Sequence, residues 1–251
     1  MAVVAFGFAL LFAANAVAAE GDVNIPITAN QAFDAVVQQV DPMTGEKARV
    51  ALIDVRTTAE YFWVGACGKV ESITTTSGKE FFPHNGKVVM KWGNILCFKV
   101  EGRKGRLRPV YLPVRKVASV DTVDISIHVP THIWDEANCT KFANPDFAAT
   151  IESLSADYDV LILMCRSGKR SNTRAFDTSL FQAVYEIDDP DGTNGHGGFQ
   201  GTSYGDGYNG YRGYPGRNTY PQDTPSASWN DAGLPVHIGW TPVSPVLSVP
   251  E

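Results

Sequence analysis

An α/β domain with a mainly parallel central sheet and a β-rich insertion is the fold class this sequence predicts. Three observations lead there. Val50-Ala51-Leu52-Ile53-Asp54-Val55 and Val160-Leu161-Ile162-Leu163-Met164 are short continuous apolar runs, the mark of strands buried on both faces. Amphipathic stretches of helical period alternate with such runs, as α/β layering requires. Between them, residues 62–119 carry seven glycines among β-like runs such as Lys87 to Trp92 and Arg108 to Val114.

Taken in order, the first 19 residues are almost wholly apolar and end Ala16-Val17-Ala18-Ala19. An apolar run closing on small residues reads as a secretory signal peptide cut after Ala18 or Ala19, although no Lys or Arg follows Met1. The competing reading is an uncleaved anchor, which needs roughly 20 apolar residues. The expectation is a periplasmic or otherwise extracytoplasmic protein with no membrane association after cleavage. Its main domain would span 22–240, with a proline-spaced extension over 241–251.

Gln31 to Val40 has helical amphipathicity, with Thr28 or Asn30 as the cap. Ile125 to Val129 is a further strand, ended by Pro130. Asn144-Pro145-Asp146 opens a helix from Phe147 to about Leu154, with proline at an early position. The strand ending at Met164 runs into Cys165-Arg166-Ser167-Gly168-Lys169-Arg170-Ser171, followed by a helix from about Asn172 to Gln182. Val184 to Ile187 is a last short strand. Over 188–228 glycine and tyrosine dominate, giving a long loop with little capacity for a core.

A formal net charge of −6 gives no global reason to expect nucleic acid or anionic membrane as a partner. The charge is uneven: Lys87 to Lys116 holds nine Lys or Arg and one acid, Glu101. That face is solvated, or docks an acidic partner protein or an anionic donor. Cys67, Cys97, Cys139 and Cys165 fit no zinc spacing, and no cofactor is expected. Cys67 and Cys97 bracket part of the insertion and could pair; otherwise one of them, or Cys139, is simply buried or resolves a sulfur adduct. Asp189, Asp191 and Asn194 have some of the oxygen-ligand spacing of a calcium loop but lack its terminal Glu, so an ordinary Asx/Gly turn is the stronger reading.

The chemistry concentrates at Cys165. A cysteine at the carboxyl end of a buried parallel strand faces the crevice where α/β sheets bind ligands. A tight loop there turns backbone N–H groups inward as an anion-binding nest beside a positive helix end. Arg166, Lys169 and Arg170 add cations, Gly168 frees the turn, and together these favour the thiolate.

The seven residues from Cys165 to Ser171 resemble the active-site loop of rhodanese-family sulfurtransferases. Leu52-Ile53-Asp54-Val55-Arg56 with Glu60-Tyr61 resembles that family's early element, and Ile125 to Pro130 its AINIP-type strand. Gly197-Gly198-Phe199-Gln200-Gly201 is similar to its GGF turn, and Ala232-Gly233-Leu234-Pro235-Val236 to its AGLPV close. Two departures stand out. The insertion replaces the family's GHIPGA segment, and the Gly/Tyr-rich loop separates the GGF turn from Trp229.

The resemblance implies a rhodanese-like three-layer fold and a thiosulfate sulfurtransferase. Cys165 would be the nucleophile and carry a persulfide. Arg166, Ser167, Gly168, Lys169, Arg170 and Ser171 would hold a small sulfur-containing anion, with Asp54 and Arg56 in support. Thiol, cyanide or a protein would accept the sulfur. The cradle from Cys165 through Arg170 has the length the family uses for sulfane sulfur; related phosphatases and arsenate reductases have one residue more. The alternative function is a persulfide or chalcogen carrier without efficient turnover.

Overall fold

A computed structural model describes residues 24–91, 94–135, 137–166, 171, 175–188, 229, 232 and 234–237. The expected signal peptide (1–19), the extension (241–251) and the Gly/Tyr-rich segment after Asp188, with its Asp189, Asp191 and Asn194, lie outside these residues. So does the GGF turn.

The chain begins with β1 (Ile25–Ile27), α1 (Ala29–Gln38), β2 (Val50–Asp54) and α2 (Thr58–Val64). β3 (Ala66–Thr75), β4 (Glu80–Phe81), β5 (Val88–Lys91), β6 (Ile95–Glu101), β7 (Leu107–Pro113) and β8 (Val117–Asp124) follow. Next come β9 (Ser126–His128), a hairpin of β10 (His132–Asp135) and β11 (Thr140–Ala143), and α3 (Phe147–Ser153). β12 (Val160–Met164), β13 (Ala183–Ile187) and β14 (Val236–His237) complete the elements.

Five strands form one sheet in the order β1-β13-β12-β2-β9, every pair parallel. The continuous apolar runs are its centre: β2 and β12 are buried along their whole length and pair in register from Val50↔Val160 to Asp54↔Met164. Alternate side chains point to opposite faces and so build two cores. On one face Val50, Leu52, Val160, Ile162 and Met164 pack against Ala29, Ala32 and Phe33 of α1. On the other, Ala51, Ile53, Leu161 and Leu163 pack against Phe147 and Ile151 of α3.

Thr28 caps α1 in a reciprocal capping box with Gln31, one of the two caps expected from sequence. The close of the chain also joins the first core. Trp229, Ala232 and Leu234 are buried there, and the Trp229 indole N–H donates to the Pro235 carbonyl at 2.8 Å. β14 then pairs antiparallel with β3, so closely that a Cβ on Gly68 would meet the His237 backbone nitrogen at 2.9 Å.

Residues 66–124 are antiparallel strands, as the β-rich reading of 62–119 expects. β3 pairs β8 along most of its length and also β4, while β5, β6 and β7 form a separate sheet. Val70, Ile73, Val88, Leu96, Phe98 and Leu112 make a third core between them. Lys87 ties this unit to α1 through Asp34 at 2.8 Å. The cations at 99, 103, 104, 106, 108, 115 and 116 are exposed.

Two expectations are corrected. Cys67 and Cys97 are not bonded to each other: Cys67 is buried in the first core, whereas Cys97 lies on β6 opposite Tyr111. The helix expected from about Asn172 to Gln182 is absent over its described part, 175–182, where the only helical turn is a 3₁₀ turn at Thr178–Leu180. Asp177 explains the difference. Its carboxylate accepts from the Ser179 N–H at 2.9 Å and from the Ser179 hydroxyl at 2.7 Å, and its own N–H donates to Glu152. Short polar side chains that bond nearby backbone in this way compete with the helical ladder. Phe176 and Phe181, on either side, are drawn under α3.

Arg49 joins the start of β2 to the turn before β12, its guanidinium bonded to both oxygens of Asp159 at 3.0 and 2.7 Å. Those hydrogen bonds pull the Asp159 carboxyl from 3.8 down to about 2. A depressed folded value means the pair's contribution is complete above about pH 4 and fades as pH falls toward 2. The stability gap between wild type and Arg49→Met, measured by urea unfolding, is expected to be constant from neutral pH to about 4 and to shrink below it. A gap that does not change with pH would contradict this assignment.

Candidate active site

Leaving β2 the chain moves outward to β9; leaving β12 it moves the other way, to β13. The neighbouring carboxyl ends of β2 and β12 therefore diverge, and a crevice opens between their loops at this reversal of strand order. Cys165 follows the last residue of β12, and Asp54, Val55 and Arg56 finish β2 beside it. The Val55 N–H donates to the Met164 carbonyl at 2.9 Å, holding the two exits together.

Cys165 is 0% exposed and packs in the second core with Val55 and Phe176. Ser171, also buried, turns its hydroxyl to the Cys165 sulfur at 3.7 Å. The Ser171 carbonyl accepts from Asn24 Nδ2 at 2.7 Å, so the N-terminal segment before β1 pins the far end of the loop. Residues six apart in sequence are thus brought into contact. Ser167, Gly168, Lys169 and Arg170 lie outside the described residues; Arg166 is described and exposed. With no α-helix over 175–182, the helix-end part of the expected field has no support there.

Asp54 and Arg56 form a buried brace. Arg56 Nη2 meets Asp54 Oδ2 at 2.5 Å and the Gly65 carbonyl at 2.5 Å, and Arg56 Nε lies 2.9 Å from Asp54 Oδ1. The guanidinium is 1% exposed. It therefore fixes the end of β2 to the end of α2. The Arg56 carbonyl lies 3.0 Å from His128 Nε2, and the His128 ring stacks on Tyr61 with centroids 4.3 Å apart. The Tyr61 hydroxyl donates to Asp124, whose other oxygen accepts from Ser126. Burial and then the Asp124 carboxylate raise the Tyr61 hydroxyl well above its ordinary value, so it stays protonated. Burial, reinforced by the Asp54 charge, likewise pushes the Cys67 thiol far up. Cys67 thus lacks the access and ionisation a resolving thiol needs.

A cleft of about 620 Å³ opens at Arg166, the residue that follows Cys165. Its walls are Thr57, Thr58, Ala59 and Glu60 at the start of α2, Ile133, Trp134 and Lys141 on the β10–β11 hairpin, and Arg166. Glu60 closes a capping box, its Oε2 accepting from the Thr57 N–H and hydroxyl, each at 3.0 Å. The sequence reading missed α2 and this hairpin. The Thr57-Thr58-Ala59-Glu60 spacing signals the first, and the short runs flanking Asp135 to Asn138 signal the second. Cys139 is exposed at the hairpin turn. Among the described residues, no group of three or more His, Cys, Asp or Glu is arranged to hold a metal, and no helix is long and apolar enough to cross a membrane.

Removing one partner of a buried ion pair strands the other charge. Asp54→Ala is therefore expected to cost about 3–5 kcal/mol in urea unfolding. A loss under about 1 kcal/mol, the range of exposed ion pairs, would show that Arg56 is not braced as described.

Comparison with protein-family models, with curated proteins and with solved structures gives no match, so the reading of this crevice rests on its own residues.

Proposed function

We propose that the protein is a rhodanese-type sulfurtransferase of thiosulfate class that carries sulfur as a persulfide on Cys165. The observation that carries this reading is the placement of Cys165 at the carboxyl end of β12, beside β2 at the reversal of strand order. The contact of the Ser171 hydroxyl with the Cys165 sulfur and the exposed Arg166 on the cleft wall add to it.

The reaction is a double displacement. The Cys165 thiolate attacks the outer sulfur of thiosulfate, the S–S bond of the donor breaks, and sulfite leaves with its electron pair. Cyanide or a thiolate then takes the outer sulfur and restores the Cys165 thiolate. Splitting one transfer into two in this way predicts ping-pong kinetics. Arg166 meets the donor oxyanions, as the resemblance implies for Lys169 and Arg170 too, and the Ser171 hydroxyl faces the sulfur. The brace of Asp54 and Arg56 holds the neighbouring strand end in place without touching substrate.

The runner-up is a persulfide carrier that hands sulfur to another exported protein, with the basic surface of β6, β7 and their connections as its docking face. A third reading, a buried thiol without chemistry, is favoured by the zero exposure of Cys165. Steady-state assay with thiosulfate and cyanide separates the three. The sulfurtransferase gives continuous thiocyanate production with parallel double-reciprocal lines, and Cys165→Ser loses at least about a thousandfold. A single stoichiometric burst followed by a stall identifies the carrier. No thiocyanate above the Cys165→Ser background contradicts both.

A further inference from the structure

The cleft is too large for the small ions of the proposed reaction. Thiosulfate or cyanide occupies no more than a few water volumes, each about 30 Å³. At about 620 Å³ the cleft is instead in the range that holds an organic ligand, roughly 300–1,000 Å³. Its walls are also unlike those of an inorganic anion site. Trp134, 57% exposed, presents its indole there, while Ile133, its neighbour on β10, is 37% exposed and points to the opposite face of the strand.

Charge narrows the ligand further. Trp134 and Lys141 are directly opposite in the β10–β11 register, so indole and ammonium share one face of the hairpin. Arg166 supplies a second cation. Glu60, the carboxylate among the described lining residues, keeps its charge while accepting from the Thr57 N–H and hydroxyl, so with Lys141 and Arg166 the described walls are net positive. The hairpin is anchored where it stands. The Thr131 N–H donates to the Val55 carbonyl at 3.2 Å, the Asn144 N–H to Thr131 at 2.9 Å, and Asn144 Nδ2 to Pro130 at 2.8 Å. Its base is thus tied to the end of β2, and the aromatic and cationic face stands beside the residue that follows Cys165.

We infer that the sulfur acceptor is an organic thiol bearing an anionic group on an apolar or aromatic body. Its anion sits between Lys141 and Arg166, and its body lies against Trp134. The inference rests on the persulfide reading of Cys165 for the transfer itself. The acceptor thiolate attacks the outer persulfide sulfur, the persulfide S–S bond breaks, and the acceptor leaves as a persulfide while Cys165 returns to thiolate. No external oxidant or reductant enters.

The probes are para-mercaptobenzoate, which matches the cleft, and mercaptoethanol, which lacks both charge and ring. Each transfer rate from the persulfide-loaded protein is divided by the rate of the same thiol with a small-molecule persulfide. The expected preference for para-mercaptobenzoate is about tenfold. Lys141→Gln and Trp134→Ala each reduce it about threefold to fivefold, whereas Lys47→Gln, on the loop before β2, does not. A separate arm titrates the unreactive para-methylthiobenzoate into Cys165→Ser protein and expects binding that Lys141→Gln weakens. Equal normalised rates in the wild type, or a preference unchanged in both cleft variants, overturns the inference. Binding lost through Lys141→Gln in a protein that never forms a persulfide supports the ligand class and overturns the sulfurtransferase.

Discussion

The parallel pairing of β2 with β12 is the constraint from which the rest of the site follows. In-register contacts from Val50↔Val160 to Asp54↔Met164 leave both strands buried along their length. Each strand must therefore surrender its polar character until it emerges at the carboxyl edge. There one strand ends on a buried ion pair and the other on a buried thiol. A slip of one residue in that register would reverse which face each side chain joins, moving the side chain of Cys165 from the α3 core to the α1 core. The Val55 to Met164 hydrogen bond and the Arg49–Asp159 pair hold the two ends of this pairing.

Around this edge the fold uses polar bonds for position more than for stability. Ser171 is held by Asn24 from before β1 and points at Cys165; Arg56 links β2 to Gly65; His128 reaches back to the Arg56 carbonyl. A buried ion pair such as Asp54–Arg56 is weak evidence for stability, because desolvation offsets most of its attraction. What it supplies here is a fixed exit from β2, from which α2 forms the near wall of the cleft. The β-rich unit has a core of its own and an exposed set of cations, and its β3 also reaches the first core through Cys67. Its contact with α1 through Lys87 and Asp34 joins it to the parallel-sheet body.

Much of this was legible in the sequence, and the reason differs from element to element. VLILM and VALIDV report their burial directly, since a strand covered on both faces has no polar alternation to hide. Thr28 marks a helix start by capping chemistry, whereas Pro145, expected at an early helical position, lies before Asp146, the cap of α3, and outside the helix. The stretch from 172 to 182 misled because its polar residues have helical spacing, yet Asp177 and Ser179 use their side chains locally. The β10–β11 hairpin has a sequence signal in the runs flanking its turn, but its role does not. Its value lies in register, Trp134 opposite Lys141, and in its anchoring to Val55, neither of which is a property of a short segment read alone. The pairing of Cys67 with Cys97 failed on topology, one thiol in the first core and the other on a separate sheet.

The account as a whole turns on whether the thiol at the end of β12 accepts a sulfur atom. Intact-protein mass spectrometry after incubation with thiosulfate reads this without any assumption about the acceptor. A gain of one sulfur atom, located by peptide mapping on Cys165 and lost in Cys165→Ser, is the predicted result. An unchanged mass, or a sulfur carried on Cys139 instead, would contradict it.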